Sequence, residues 1–281
     1  MVRRVLFWLV LSAPLILIAG CTTRLAYNHF DTWLNYRISD YVNLTRQQER
    51  VLDNGVERAI ETHRQQELPR IHRVVDRLQA DLLFPVTYDQ MRDYYFIFTE
   101  LGQNTAAVLA KPLAATLSLL NDSQVLELTH NIQQRFTEID RKRNALTLAE
   151  QRARRANQLT DFTQDWVGSL TDKQEALLEE LAGYQVGMVP IFIAIRQQFF
   201  REWQQMMVQR SRPEFSAQFT RLMRQMVGLE SPNYQSDINF YLNRRFELMR
   251  RLNHTLSDVQ RAHLNRKLIN IRKDVAVLIN Q

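Results

Sequence analysis

The sequence predicts an all-α fold: a single bundle of long, antiparallel and partly proline-kinked helices behind a cleaved N-terminal signal. The chain of 281 residues contains only seven glycines and seven prolines. Apolar residues recur at intervals of three and four, and no stretch shows the alternation typical of a strand. Several segments also begin with the residues of a helix capping box. Together these observations favour one large helical domain.

The first twenty residues have the three-part pattern of a secretory signal. Arg3 and Arg4 supply the positive start, and residues 5–18 are apolar apart from Ser12 and Pro14. This run is shorter than the roughly 20 apolar residues that a membrane-spanning helix needs. We therefore predict that residues 1–20 are a cleaved signal peptide and that residues 21–281 form the mature domain.

Cys21 is the only cysteine, and it directly follows Leu17-Ile18-Ala19-Gly20. These residues resemble the lipobox of bacterial lipoproteins, which implies that Cys21 becomes the first mature residue and carries lipid on its sulfur and its amino group, with palmitate as a typical acyl chain. An ordinary signal followed by a chance cysteine is the alternative. Thr22 follows the cysteine at the position where an aspartate would, by resemblance to enterobacterial sorting rules, hold a lipoprotein in the inner membrane. We therefore expect a protein anchored by lipid in the outer membrane of a Gram-negative bacterium and facing the periplasm.

Apolar periodicity then predicts a series of helices. Their predicted ranges are residues 25–42, 45–83, 88–119, 122–144, 148–169, 172–210, 213–227, 236–253 and 258–280. Pro69, Pro112 and Pro190 lie inside three of these ranges, where proline removes a backbone donor and kinks or interrupts a helix. Residues 186–195 are the most apolar mature run and are too short to cross a bilayer, so they predict the central buried helix.

The helix of residues 25–42 begins close to the predicted anchor. Its apolar positions are Leu25, Tyr27, Phe30, Trp33, Leu34, Ile38, Tyr41 and Val42. We expect this helix to pack into the core of the bundle. Its aromatic content indicates the alternative of an interfacial helix that lies at the membrane surface.

Four helix starts share one pattern: leucine, then serine, threonine or asparagine, then two residues, then glutamine. The small polar side chain accepts a bond from a backbone amide at the helix start, and the glutamine accepts one from the amide of the capping residue. The copies run over residues 44–48, 120–124, 170–174 and 256–260, and looser copies pair Thr87 with Gln90 and Thr147 with Glu150.

These copies are spaced too unevenly for a solenoid repeat. A duplicated helical hairpin is one explanation, and convergence on good caps is the one that we favour. The Leu-Thr-x-x-Gln spelling is similar to the motif of small periplasmic helical stress chaperones. That similarity implies a periplasmic chaperone or envelope-stress sensor as an alternative function.

The sequence contains no signature of catalysis, of cofactor binding or of a metal site. His63 and His72 are nine residues apart, as are His254 and His263, so the members of each pair lie on different helix faces. No nucleophile elbow and no phosphate-binding glycine loop occurs. We therefore predict a protein that is not an enzyme and that has no cofactor and no metal.

Basic clusters are the main candidates for a binding surface. They occupy residues 141–143, 152–155, 244–245 and 250–251, and the formal charge of +6 falls to +4 when Arg3 and Arg4 leave with the signal. Such faces suit anionic lipid or glycan. Solvated helix surface with ion pairs such as Glu150 with Arg154 is the alternative. Nucleic acid is not an expected partner in this compartment.

The chain resembles the DUF6279 family of proteobacterial lipoproteins. The resemblance is carried by Arg24-Leu25-Ala26-Tyr27-Asn28, Trp33-Leu34, Asp40-Tyr41-Val42, the helix start at Gln48, and His63-Arg64 followed by Glu67-Leu68-Pro69. It implies a lipid anchor and a helical body, and it implies no activity. We therefore predict a membrane-anchored binding or structural module in the periplasm. Its expected partners are the bilayer and an envelope protein or an anionic lipid or glycan.

Overall fold

The computed structural model describes residues 21–281, and it is helical with no strand in that range. The α-helices in chain order are α1 (Cys21–Asn28), α2 (Phe30–Ser39), α3 (Arg46–Gln66), α4 (Leu68–Asp81), α5 (Tyr88–Ser118), α6 (Asp122–Asn144), α7 (Leu148–Val167), α8 (Asp172–Gly187), α9 (Val189–Val208), α10 (Phe215–Gly228), α11 (Gln235–His254) and α12 (Asp258–Ile279). A short 3-10 turn, Pro232–Tyr234, precedes α11. The predicted all-α bundle is confirmed. The predicted signal, residues 1–20, lies outside the described residues.

The predicted capping boxes are all present. They open α3, α5, α6, α7, α8 and α12 at Thr45, Thr87, Asn121, Thr147, Thr171 and Ser257. In each box the capping side chain accepts a bond from the backbone three residues later, and the Gln or Glu at that position accepts one from the amide of the capping residue. A good N-cap contributes about 1 kcal/mol, so these starts are set locally.

The glutamines of the four close copies also pair across the bundle. Gln174 Nε2 donates to Gln260 Oε1 at 2.9 Å, and Gln260 Nε2 donates back to Gln174 Oε1 at 2.9 Å. The second N–H of each amide donates to the carbonyl five residues before its partner, at Thr255 and Ser169. Gln174 is fully buried. Since each Oε1 also accepts from its own capping amide, both donors and both acceptor positions of each side chain are used.

Gln48 and Gln124 form the same network at the starts of α3 and α6. Their amides exchange bonds of 2.9 and 2.8 Å, and the remaining N–H groups donate to Leu119 and Asn43, again five residues before the partner. The start of α3 therefore lies beside the start of α6, and the start of α8 beside that of α12.

The buried core has two parts. In the larger part, buried side chains of α5, α6 and α8 to α11 pack together around residues such as Leu178 and Ile195. In the smaller part, Leu68 and Val75 of α4 meet α5 and α12 through residues such as Phe98 and Ile271. Helix α5 contributes to both parts because it packs against α3 and α10 along its length.

The three helix prolines have different effects. Pro69 and Pro190 are the second residues of α4 and α9, so each long predicted helix is in fact two helices. Pro112 instead lies inside α5, which continues to Ser118, so the predicted interruption there is wrong. The ring of Pro112 packs on α3 at Gly55, where an added Cβ would lie 2.7 Å from the proline Cβ. The backbone bond that proline cannot make is therefore lost at a position where the ring packs closely on a neighbouring helix.

The apolar run of residues 186–195 spans the junction of α8 and α9. Val186, Met188 and Ile195 are buried, whereas Pro190 is exposed and residues 191–194 are half-buried. The predicted central helix therefore contributes only one face to the core. No single helix in residues 21–281 has the length and apolar character to cross a membrane; α8 and α9 meet those criteria only as a pair, bent by 47°.

The predicted first helix is also divided, into α1 and α2, with His29 between them. Helix α2 contains no buried residue, and of the predicted apolar positions only Val42 is buried. Leu25 and Trp33 are exposed. The expected packing into the core is therefore only partial: α2 lies on the surface with one side half-buried, and Ile38 on that side packs against the larger part of the core.

Candidate binding groove

A polar groove lies between the end of α2 and the middle of α6. It has a volume of about 1080 Å³ and is lined by Arg37, Asp40, Tyr41, His130, Asn131, Gln133, Gln134, Arg135, Thr137, Glu138, Arg141 and Lys142. Apart from Tyr41, every lining side chain is polar or charged. The groove is therefore built for hydrogen bonds and ionic contacts, unlike the mostly apolar pockets that bind drug-sized ligands.

Hydrogen bonds fix the two walls against each other. Gln124 of the buried pair donates to the Asn43 carbonyl at 2.8 Å, and the Asn43 side chain donates to Glu127 at 2.7 Å. Asn131 Nδ2 donates to the Tyr41 carbonyl at 2.8 Å. These bonds hold residues 41–43 against α6. The relative position of the two groove walls is therefore fixed in part by the same glutamine network that caps α3 and α6.

The groove carries an excess of positive charge. Four cationic side chains, Arg37, Arg135, Arg141 and Lys142, face two carboxylates, Asp40 and Glu138. Arg37 donates to Asp40 at 2.6 Å. The exposed Arg141 makes no ion pair within residues 21–281. Arginine binds phosphate and carboxylate groups through paired N–H donors, so an anionic ligand suits this surface.

Glu138 lies between two cations. It accepts from Arg135 at 3.1 Å and from Lys142, and the hydrogen bond and charge of Lys142 lower the pKa of the Glu138 carboxyl. A general acid or base works best with a pKa near the operating pH. A carboxylate that is held ionised is suited to binding and to charge balance.

Only one of the four basic clusters contributes to the groove. Arg141 and Lys142 of the first cluster line it, whereas Arg152 and Arg154 are exposed on α7 outside it. The other two clusters have partners within the fold. Arg244 lies over the Tyr184 and Phe240 rings, Arg245 over Tyr95, Arg250 pairs with Glu247, and Arg251 with Glu180.

His63, the histidine of the family resemblance, has a structural position on α3. Its Nδ1 lies 3.1 Å from the Tyr27 hydroxyl and its Nε2 lies 3.1 Å from Thr105 Oγ1. Burial lowers the pKa of His63 to about 4, so the ring is neutral at pH 7. Within residues 21–281 no group of three or more His, Cys, Asp or Glu side chains comes together as a metal site.

Cys21, the predicted lipidation site, is the first residue of α1. The same helix is tied to the body of the protein, because Arg24 Nε lies 3.2 Å from the buried Asp274 carboxylate on α12. The Tyr27 hydroxyl adds a bond to the Ile60 carbonyl of α3. No flexible spacer therefore separates Cys21 from the folded body.

Most groove residues were missed by the sequence analysis, which identified only Arg141 and Lys142 as part of a basic cluster. The groove joins residues of α2 and α6 that are far apart in sequence. One local signal exists: His130, Gln134 and Arg141 occupy one face of α6 at helical spacing, and that face has no apolar residue pointing to a core.

Comparison with known proteins gives a family for this chain. The family model described as "Family of unknown function (DUF6279)" matches residues 40–235, well over half of the chain. No curated protein and no solved structure matches the chain.

Proposed function

We propose that this chain, which belongs to the DUF6279 family of unknown function, is a lipid-anchored lipoprotein of the proteobacterial outer membrane that faces the periplasm. In this proposal it binds an anionic envelope component, a glycan or lipid headgroup that carries phosphate or carboxylate, and it does not catalyse a reaction.

The proposed anchor rests on the sequence and on one feature of the fold. The signal-like residues 1–20 precede the only cysteine, and the helix that contains this cysteine is held to the body of the protein by the ion pair of Arg24 with Asp274. Two acyl chains on Cys21 would hold the protein firmly on a membrane, since each buried methylene contributes about 0.8 kcal/mol.

The observation that carries the binding proposal is the positive groove of α2 and α6. Its cations outnumber its carboxylates by two, and Arg141 has no carboxylate partner among the described residues. Its uncharged residues are amides and hydroxyls, which bond well to sugar hydroxyls and phosphate oxygens. An extended anionic chain fits an open groove of this size better than a compact apolar ligand.

The chaperone alternative loses its motif-based support. The four motif glutamines are buried, and their hydrogen-bonding groups are used between helices. Their identity is therefore accounted for by folding. Single exposed apolar residues, such as Leu126 and Phe162, are of the kind that monomeric proteins commonly expose.

The anchor is tested by labelling cells with a palmitate analogue and following the full chain and Cys21→Ser. We expect the wild-type protein to carry label and to float with outer-membrane vesicles, and the variant to carry none and to be released. Equal labelling of both proteins would refute the anchor.

The groove is tested by binding of the purified lipidated protein in two arms, one with soluble acidic oligosaccharide from lipopolysaccharide and one with soluble glycerophosphoglycerol, the headgroup of phosphatidylglycerol. Reversing the charge of Arg141 and Lys142 to Glu should weaken binding by tenfold or more, at about 1 kcal/mol per surface cation. The matched control reverses Arg152 and Arg154, two exposed arginines of α7. An equal loss in both variants would show general charge attraction and would refute the groove.

A further inference from the structure

The surface of α1 and α2 carries a stripe of exposed side chains, formed by Leu25, His29, Trp33 and Tyr36. These residues recur at intervals of four, four and three, so they lie along one side of the two consecutive helices. Leu25 is 60% exposed and Tyr36 is 63% exposed, and Trp33 is exposed as well. Large apolar residues aligned in this way leave an unpartnered helix face.

The opposite side of the same segment is fixed to the protein. Arg24 pairs with Asp274, and Tyr27 bonds to α3, so the stripe cannot turn inward without breaking these contacts. The Phe30 ring contacts the Trp33 ring at 5.7 Å between centroids and supports it from the half-buried side. The outward direction of the stripe is therefore a property of the fold.

The position of the stripe relative to Cys21 indicates what covers it. An α-helix rises about 1.5 Å per residue, so Leu25 lies about 6 Å and Trp33 about 18 Å along the chain from the start of α1. With acyl chains on Cys21, no spacer would allow this segment to move away from the bilayer surface. The stripe would therefore lie within reach of the headgroup region at all times.

The chemistry of the stripe also suits a lipid surface. Trp and Tyr have an apolar ring and a polar tip, and they are enriched where membranes meet water. Asp31 and Asp40 of the same segment are exposed, and Asp40 is paired with Arg37. These carboxylates oppose deep insertion into hydrocarbon and restrict contact to headgroup depth.

We infer that the stripe of Leu25, His29, Trp33 and Tyr36 rests on the headgroup region of the bilayer that holds Cys21, so that α1 and α2 form a membrane-contact surface. This inference rests on the proposed lipid anchor. It has a structural consequence, because Arg37, Asp40 and Tyr41 continue the same segment into the groove. The open side of the groove therefore begins next to the membrane surface.

The test uses the full lipidated protein reconstituted in vesicles of phosphatidylethanolamine and phosphatidylglycerol. Bromine atoms on the acyl chains quench nearby tryptophan fluorescence, and residues 21–281 contain three tryptophans, Trp33, Trp166 and Trp203. We expect quenching that is stronger when bromine lies near the headgroups than when it lies near the chain ends. Trp33→Phe should lose the quenched part of the fluorescence, because the fluorescent indole is removed. The phenylalanine ring keeps the aromatic contact with Phe30.

Trp203→Phe is the matched control, since Trp203 is half-buried against the core and its removal should leave the quenching unchanged. Quenching that is equal in the wild type and in Trp33→Phe would overturn the inference. Unquenched Trp33 in a protein that carries acyl label and floats with vesicles would overturn the inference and leave the anchor intact. In that case a covalent dimer captured by crosslinking at Tyr36 would assign the stripe to a second copy. A protein without acyl label would overturn the anchor and the inference together.

Discussion

The buried glutamine pair of α8 and α12 gives the sharpest test of why this sequence uses glutamine at its helix starts. In Gln174→Glu, the side chain keeps the oxygen that caps the helix and replaces the amide nitrogen by a second oxygen. That oxygen then faces Gln260 Oε1 and the Thr255 carbonyl, which both accept hydrogen bonds in the wild type. The substitution therefore removes two bonds and turns two contacts between a donor and an acceptor into contacts between acceptors.

The magnitude follows from these contacts. Each lost bond contributes about 1 kcal/mol, and a buried acceptor left without a donor adds about 1 to 3 kcal/mol. Residue 174 is 0% exposed, so an ionised carboxylate there is strongly disfavoured and its pKa should rise. We expect a loss of about 3 to 5 kcal/mol in the free energy of unfolding at pH 7. Because the folded pKa lies above the unfolded pKa of about 4.3, the charge-related part of the loss should shrink as the pH falls towards 4.3.

The assay is urea unfolding followed by circular dichroism at pH 7 and pH 5, with Gln90→Glu as the matched control. Gln90 caps α5 in the same way, accepting from the Thr87 amide at 2.8 Å, but its capping box is not paired with another. Its substitution should change stability by no more than about 0.5 kcal/mol, since a carboxylate is well tolerated at a helix start. Equal effects of the two substitutions would refute the reasoning, because the cross-helix bonds would then contribute nothing.

Two further predictions concern helix packing and pH. Gly55→Ala should destabilise the protein by about 1 to 3 kcal/mol, because the new Cβ would lie 2.7 Å from the Pro112 Cβ. Gly183→Ala is the control, since nothing lies within 4 Å of a Cβ added at this position. In thermal unfolding it should stabilise α8 by about 0.5 to 1 kcal/mol. In the folded protein the pKa of His63 is lowered to about 4, so this histidine binds a proton more readily in the unfolded protein. The stability that neutral His63 contributes is therefore complete above about pH 6.5 and is lost as the pH falls towards 4. The loss is at most about 3 kcal/mol, and urea titrations at pH 7 and pH 5 should show a smaller pH dependence in His63→Gln.

The elements that were predictable from the sequence are those set by short-range chemistry. A capping box needs only residues three apart, so its members, such as Thr171 and Gln174, can be identified without knowledge of the fold. The effect of a proline is different. Pro69 and Pro112 look alike in sequence, and the close contact of Pro112 with the glycine of α3 is visible only in the fold. The surface position of Trp33 likewise depends on which neighbours cover it, and the periodicity alone indicated only that one face is apolar.

The two glutamine networks connect the helix starts with the candidate groove. A helix cap by itself requires hydrogen bonds only within one helix. Convergence on good caps therefore does not account for the reciprocal bonds between the paired glutamine side chains. It also does not account for the bond that each glutamine donates to the carbonyl five residues before its partner. A duplicated unit accounts for both features at once. One copy, at Gln48 and Gln124, also bonds to Asn43 and so holds residues 41–43 against α6, where Asn131 and Glu127 complete the attachment. The same folding device therefore supports the whole bundle, and in one half it also fixes the wall that presents the positive charges.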